Sequence, residues 1–366
     1  MQSTHSNDAP DEIPSETRAR SSSLVELSSR KEIALTVETL KEYTALTTPL
    51  VTPNNIVVTA TEGEERLTHS IIVSQFDEGF NFLQKVITMP LEGQACWTND
   101  LEWLDYRTAV LAQGSSYKVL TIPHDGDIDG CKIHDFGNSK MHIEDIREIS
   151  IHKDNQYVIS GGYDGHVHIQ SFGGSHSSKI LPVIASKNIG DSVSSVLWNT
   201  NRPYLASWTT DPGMLQLWDY RSDEVALSFH AHETELYCHE PIKSNYVLLG
   251  YGSGNMQVLD IRNLTRCVTL FNGEALSSVG EMMYLPEQNA LFSFGIPGFS
   301  RWDVDTITSP RERDCSSNLR ACFQTTDYGP LTNPAARKCS GFFLEDRASP
   351  QIAVTTGAGS FMIFDV

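Results

Sequence analysis

The chain holds 366 residues, 40% of them hydrophobic, with 25 Gly and 16 Pro, which is ample for a sizeable core but long for one simple globular core. Its formal charge of -19, from 46 acidic against 27 basic residues, argues against DNA or RNA as a main partner and suits a basic protein better. No run approaches the roughly 20 apolar residues needed to span a membrane, so membrane insertion is not expected.

In chain order, residues 1–29 come first and are rich in Ser, Glu, Asp and Pro, with few large apolar side chains. Burial cannot offset the entropy of ordering such a segment, so a disordered polar leader is expected. Its Ser21–Ser23 run could accept phosphate, or the leader could dock onto a partner. Residues 32–40 (EIALTVETL) then alternate, which would place Ile33, Leu35 and Val37 on one face of a strand.

From there one pattern recurs: a short apolar run, a turn, a second run, a Gly/Asp turn and a third run ending in an aromatic residue plus Asp. Short strands at regular turn spacing predict an all-β repeat protein and not βαβ units. The units fall at about 45–90, 98–138, 142–187, 192–231, 233–273, 277–330 and 336–366. The earliest is the most degenerate, with 55–60 and 70–75 as its middle strands. The clearest reads SSVLWNTNRPYLASWTTDPGMLQLWDYR, and the last ends in FMIFDV directly after its third strand. The 32–40 segment can supply that unit's missing outer strand, closing a ring and removing an exposed edge. Residues 309–340 form a longer excursion, giving a loop around 306–335, and HDGDIDG (124–130) reads as a surface turn.

YLASWTTDPGMLQLWDYR, YVISGGYDGHVHIQSF and ALFSFGIPGFSRWDV resemble the second and third strands of WD40 repeats. Asp219, Asp260 and Asp303 end three such units and lie 41 and 43 residues apart, the spacing of that family. The resemblance implies a seven-bladed WD40 β-propeller over residues 30–366, closed by an N-terminal strand. It also implies a buried network per blade, joining a His, a Ser or Thr, a Trp and a turn Asp. Blade 3 matches with His142, Ser160 and Asp164, although Ile169 stands near the expected Trp. Blade 4 offers Ser207, Asp211 and Trp218, and His232 takes the place of the His before the inner strand of blade 5. Asp365 and Trp302 are read as structural members of the last two blades.

Constellations with chemistry are scarce. There is no GxxxxGK[ST], GxSxG or HExxH, and no CxxC among the seven Cys, so a zinc knuckle or redox pair is not indicated and a reducing intracellular setting, cytoplasmic or nuclear, follows. HAHETELYCHE carries His230, His232, His239, Glu233 and Glu240, and HVHIQ places His166 and His168 on one face; both are read as structural or surface groups, with no metal or cofactor. Cys238 and Cys267 read as ordinary buried thiols. Trp103, Trp198 and Trp218 read as packing residues. Glu144, Asp145 and Glu148 are the acids expected at the entrance to blade 3, where they could meet a basic ligand, and Tyr163 and Trp208 are the rim aromatics expected to anchor one. The function expected is a non-catalytic scaffold or substrate adaptor in a multiprotein complex. A reader of a short modified peptide and a cryptic enzyme are the alternatives. Length, acidity and leader are similar to those of small acidic single-propeller adaptors, such as the WD-repeat cofactor of the arginine methyltransferase complex; that likeness implies presenting a basic substrate to a catalytic partner.

Overall fold

Tyr157–Gly162 and His166–Ser171 show how the local sequence makes a hairpin. Alternate residues of each strand pack on one side, and the turn between them places Gly165 at φ +70, a conformation that favours glycine. The computed structural model describes residues 29–34, 43–46, 49–63, 70–80, 83–91, 98–136, 142–152, 157–172, 182–199, 202, 204–231, 233–264, 267–272, 276–296, 298–309, 323–324, 339–344, 350–356 and 360–365. These form seven antiparallel sheets, six of four strands and one of five.

The sheets follow one another in chain order as blades 1 to 7, spanning 43–90, 98–136, 146–188, 193–230, 236–272, 278–324 and 339–365. Each blade touches the next, and blade 7 touches blade 1, so the ring closes. Closure is made by Ser29–Ala34, which pairs antiparallel with Ser360–Asp365 as the outer strand of blade 7. That bears out the expected closure, with the strand set three residues earlier: Ile33 pairs with Phe361, while Leu35 and Val37 lie outside the described residues. Blade 1 departs from the four-strand plan because its inner strand is broken. Tyr43–Leu46 and Leu50–Val51 both pair with Ile56–Gly63, at opposite ends. Phe323–Gln324 pairs with the third strand of blade 6, so the long excursion does contain that blade's outer strand.

Hydrophobic burial is divided among the interfaces. The described residues form seven apolar clusters, one between each pair of neighbouring blades. Trp302, for example, packs from blade 6 against Phe271 of blade 5, ring centroids 5.0 Å apart. Burying an apolar side chain of Leu or Phe size stabilises by roughly 1.5–3 kcal/mol, so each interface contributes only if both blades are present. Close approach replaces side-chain bulk at two equivalent places. A Cβ on Gly161 would stand 2.4 Å from Val193 of blade 4, and one on Gly250 would stand 2.8 Å from Val279 of blade 6.

The HDGDIDG segment does more than turn. It carries a single 3-10 turn, Ile128–Gly130, whose Ile128 is buried in the cluster between blades 1 and 2. Lys85 of blade 1 reaches Asp127 at 2.9 Å and Asp129 at 2.5 Å, so this connection also straps two blades together.

One irregularity repeats around the axis. The inner strands of blades 1 to 6 each carry a β-bulge, after Tyr43, Thr98, Ile146, Val193, Leu236 and Val279. A bulge adds a residue that the partner strand cannot pair, and it re-aims side chains. The protein uses both consequences to tie blades together. Asn99 donates to the carbonyl of Ile146, and Ser194 to that of Leu236, each in the following blade. The next residue along accepts: Asp100 takes the N–H of Ile149 and Glu148 takes the N–H of Val196, both at 2.9 Å.

Candidate functional site

Blade 3 holds the expected polar network. Its register pairs Ser160 with His168 and places Asp164 in the turn that follows. His142 Nδ1 donates to Asp164 at 2.9 Å, which leaves Nε2 to accept the Ser160 hydroxyl at 2.9 Å. His142 and Ser160 are both 0% exposed. Desolvation lowers the pKa of His142 against the pull of Asp164, which keeps the ring neutral. Burial works against the Asp164 carboxylate, but His142 and the N–H groups of Ile143 and His166 hold its pKa below the usual range. The chain of Ser, His and Asp has the connectivity of a nucleophile relay, yet its hydroxyl is sealed from any substrate. His168 meets His142 edge-on at 4.6 Å and stacks on His166 at 5.7 Å. At the position expected for Trp, the register places Gln170, not Ile169. Gln170 pairs with Val158 just as Trp302 of blade 6 pairs with Leu291.

Blade 4 corrects the reading of Ser207, Asp211 and Trp218 as one network. In blade 6, Trp302 Nε1 donates to Ser293 at 2.9 Å. The equivalent of Ser293 in blade 4 is Trp208, one residue beyond Ser207, because Leu205 pairs with Asp219. Trp218 therefore turns its Nε1 to Asp223 at 3.1 Å and packs edge-on against Trp208 at 5.7 Å. Ser207 faces the other way and pairs with His239 of blade 5 at 2.7 Å, while Asp211 holds Arg147 of blade 3. Trp208 is 0% exposed and cannot anchor a ligand on a rim.

The remaining candidate residues separate in space. Glu148 is not a rim acid: it turns inward to cap Val196, and desolvation, with Asp100 and Glu281 nearby, raises its pKa. Asp100 belongs to blade 2 and Glu281 to blade 6, so charges of other blades act on Glu148. Glu240 accepts from Tyr284 N–H, and desolvation pushes its pKa up to about 8. The 230–240 cluster does not converge. His230 is exposed on an outer strand, His239 is buried between Ser195 and Ser207, and Glu233 accepts from Ser253 and Asn255. His232 lies outside the described residues, as do the side chains of Cys267 and Asp365. Cys238 is buried, and desolvation raises its thiol pKa. Trp103 and Trp198, each 6% exposed, are packing residues. Among the described residues no group of three or more His, Cys, Asp or Glu is placed to hold a metal, and no helix is long and apolar enough to cross a membrane.

What does gather is a rim. In an antiparallel four-strand blade, the turn between strands two and three and the connection into the next blade lie at the same end. At that end of blades 3 to 5 stand Glu144, Asp145, Asp191, Asp211, Glu233 and Glu235. Ile143 is 85% exposed there, although its N–H is tied to Asp164, and Tyr163 is 49% exposed. Sequence reasoning found Glu144, Asp145 and Tyr163. It missed Ile143, Asp191 and Glu235, whose common end of the ring depends on where each strand stops.

No family model matches the sequence, and no curated protein matches it. Solved structures do match in shape. A chain in the crystal structure of the mitotic checkpoint complex superposes with a TM-score of 0.65 at 14% identity, covering 100% of this chain and 98% of that one. The fold is a seven-bladed β-propeller. No likeness to a particular adaptor accompanies it.

The propeller also explains its periodic Asp residues. Asp219 accepts the N–H of Arg221 and grips its guanidinium through Oδ1 and Oδ2 at 3.0 and 2.7 Å; Asp260 does the same to Arg262 at 2.9 and 2.7 Å. Each Arg lies over a Tyr at the start of the second strand, Tyr204 or Tyr246. Asp303 instead caps the short helix Val304–Thr308 through the N–H of Thr306. All three organise the turn after the third strand, at the end opposite the acidic rim.

Proposed function

We propose that this propeller is a non-catalytic scaffold that holds a basic segment of a partner protein on the rim of blades 3 to 5. The observation that carries the reading is the rim's imbalance. Seven carboxylates, those six and Asp164 of the blade 3 turn, stand there against one guanidinium, that of Arg147, among the described residues. Ile143 and Tyr163 add apolar surface at the same end, which a partner can bury while the carboxylates meet its cations. A closed ring keeps that surface rigid, so docking orders few side chains. The sealed Ser160 hydroxyl gives no support to a hydrolytic reading.

The test is the binding of a Lys/Arg-rich peptide across a salt series. Capture by the native protein should weaken with salt, and Glu144→Lys with Glu235→Lys should lower the association rate about tenfold or more at low ionic strength. Thermal stability should barely change, since both side chains are exposed. Native purification with crosslink mapping should place the partner on this end. Crosslinks confined to the opposite rim, or indifference to both substitutions, would sink the reading.

A further inference from the structure

The one guanidinium on this rim is itself bound as a ligand would be. Arg147 is the extra residue of the blade 3 bulge, between Ile146 and Glu148. Its Nη1 donates to Asp211 at 2.5 Å and to Ser192 at 3.3 Å, and its Cζ stands 4.8 Å over the ring of Tyr163. Tyr237 and Glu235 of blade 5 stand close by, since Tyr237 senses the charges of Arg147, Asp211 and Glu235. An aromatic face, a carboxylate and a hydroxyl around a planar cation make up a set suited to arginine. Guanidinium stacks on the ring and presents parallel donors to the carboxylate, and an ammonium does neither as well.

Holding the ring together does not require an Arg here. The bulge residues Asn99 and Ser194 tie their blades to the next through short side chains that donate to backbone carbonyls. Arg147 spans instead to side chains of the rim turn. Tyr163 and Asp211 keep solvent-facing surface, 49% of the residue and 38% of the side chain respectively. At the equivalent bulge of blade 6, a Cβ on Gly280 would meet nothing within 4 Å, so no side chain fills that position.

Resting on the docking reading above, we infer that Tyr163, Asp211 and Ser192 form an arginine-recognition site that Arg147 occupies in the free protein, and that an arginine side chain of the basic partner segment takes it over. The partner segment would then be selected for Arg over Lys at one position, and Arg147 would set the threshold for docking.

The experiment titrates the full chain and its Arg147→Ala and Arg147→Gln variants with the peptide acetyl-Gly-Arg-Gly-Arg-Gly-amide. Its lysine and citrulline counterparts serve as controls, and thermal melts confirm folding of each variant. Both variants should bind the arginine peptide about tenfold more tightly than the native chain, with a smaller gain for lysine and none for citrulline. Adding Tyr163→Ala or Asp211→Asn to Arg147→Ala should abolish the gain. If the variants bind no more tightly than the native chain while Glu144→Lys and Glu235→Lys still weaken capture, the arginine site is wrong and the docking rim stands. Equal gains for arginine, lysine and citrulline also overturn the site. Failure of every form to bind any basic peptide removes both proposals.

Discussion

His142 shows what a buried polar residue does when every partner is supplied. Its two ring nitrogens serve Asp164 and Ser160, and Asp164 in turn holds the N–H of the exposed Ile143. One network therefore joins the blade interior to the rim surface. Asp164→Asn keeps the shape but exchanges an acceptor oxygen for a donor, and His142→Ala takes the imidazole from Ser160 and leaves Asp164 only the N–H groups of Ile143 and His166. Each should lower unfolding stability by roughly 1–3 kcal/mol, read from urea titrations, because unsatisfied buried groups cost about that much. A change near zero for His142→Ala would mean that the network is incidental.

Buried ionisable groups also predict a pH profile. Desolvation pushes Glu240 up to about 8 and raises Glu148, whereas burial lowers His239 to about 3. An acid with a raised folded pKa binds more protons folded than unfolded, so its stabilisation is lost as pH rises through the folded value. The His contribution runs oppositely and is lost as pH falls below its ordinary 6.5. Between about pH 6.5 and 8 only the two Glu residues act among these three, and the melting temperature should fall as pH rises. Glu240→Gln should flatten that slope in a series of melts at fixed ionic strength; an unchanged slope would exclude Glu240 as its source.

Among the elements, the closing strand Ser29–Ala34 has the largest single consequence. It covers the edge of Ser360–Asp365, which otherwise presents unpaired backbone groups to other chains. Deleting residues 29–34 should cost a few kcal/mol, roughly 0.5–1.5 per ladder hydrogen bond, and should promote association visible by light scattering. Deleting residues 2–20 should leave the melting temperature intact. The inner-strand bulges act at the same scale. Gly250→Ala would press a methyl within 2.7 Å of Cys238 Sγ and 2.8 Å of Val279. Overpacking of this kind costs about 1–3 kcal/mol, and a neutral melt would show that blades 5 and 6 can separate at that point.

For the whole molecule, stability is distributed around a ring and not concentrated in one core. Trp302→Ala removes a side chain 1% exposed from the cluster between blades 5 and 6, and the expected cost is about 3–5 kcal/mol, measurable by chemical denaturation. On the proposed reading the same ring sets function, because it collects short connections from three blades onto one end. None of those connections is acidic enough alone to attract a partner. Their sum is an electrostatic surface carried on a frame that does not need to move.

Strand periodicity, turn residues and the 41- and 43-residue spacing of Asp219, Asp260 and Asp303 are local properties of the chain, and they already specified seven blades and the closing strand. His142, Ser160 and Asp164 were legible for the same reason, since one hairpin and its entry segment bring them together. Other assignments failed where a shift of one residue reverses a side chain. Ser207 and Trp208 exchange faces with the hairpin register, so the network serine turned toward His239; Trp208 is buried because its strand is covered by a neighbouring blade on each face. Glu148 beside Arg147 shows the same effect at a bulge: one turns in to cap the next blade and the other turns out to the rim. Whether a residue lies on the rim depends on register, set within a hairpin, and on blade-to-blade contact with atoms more than forty residues away along the chain, which only folding brings to bear.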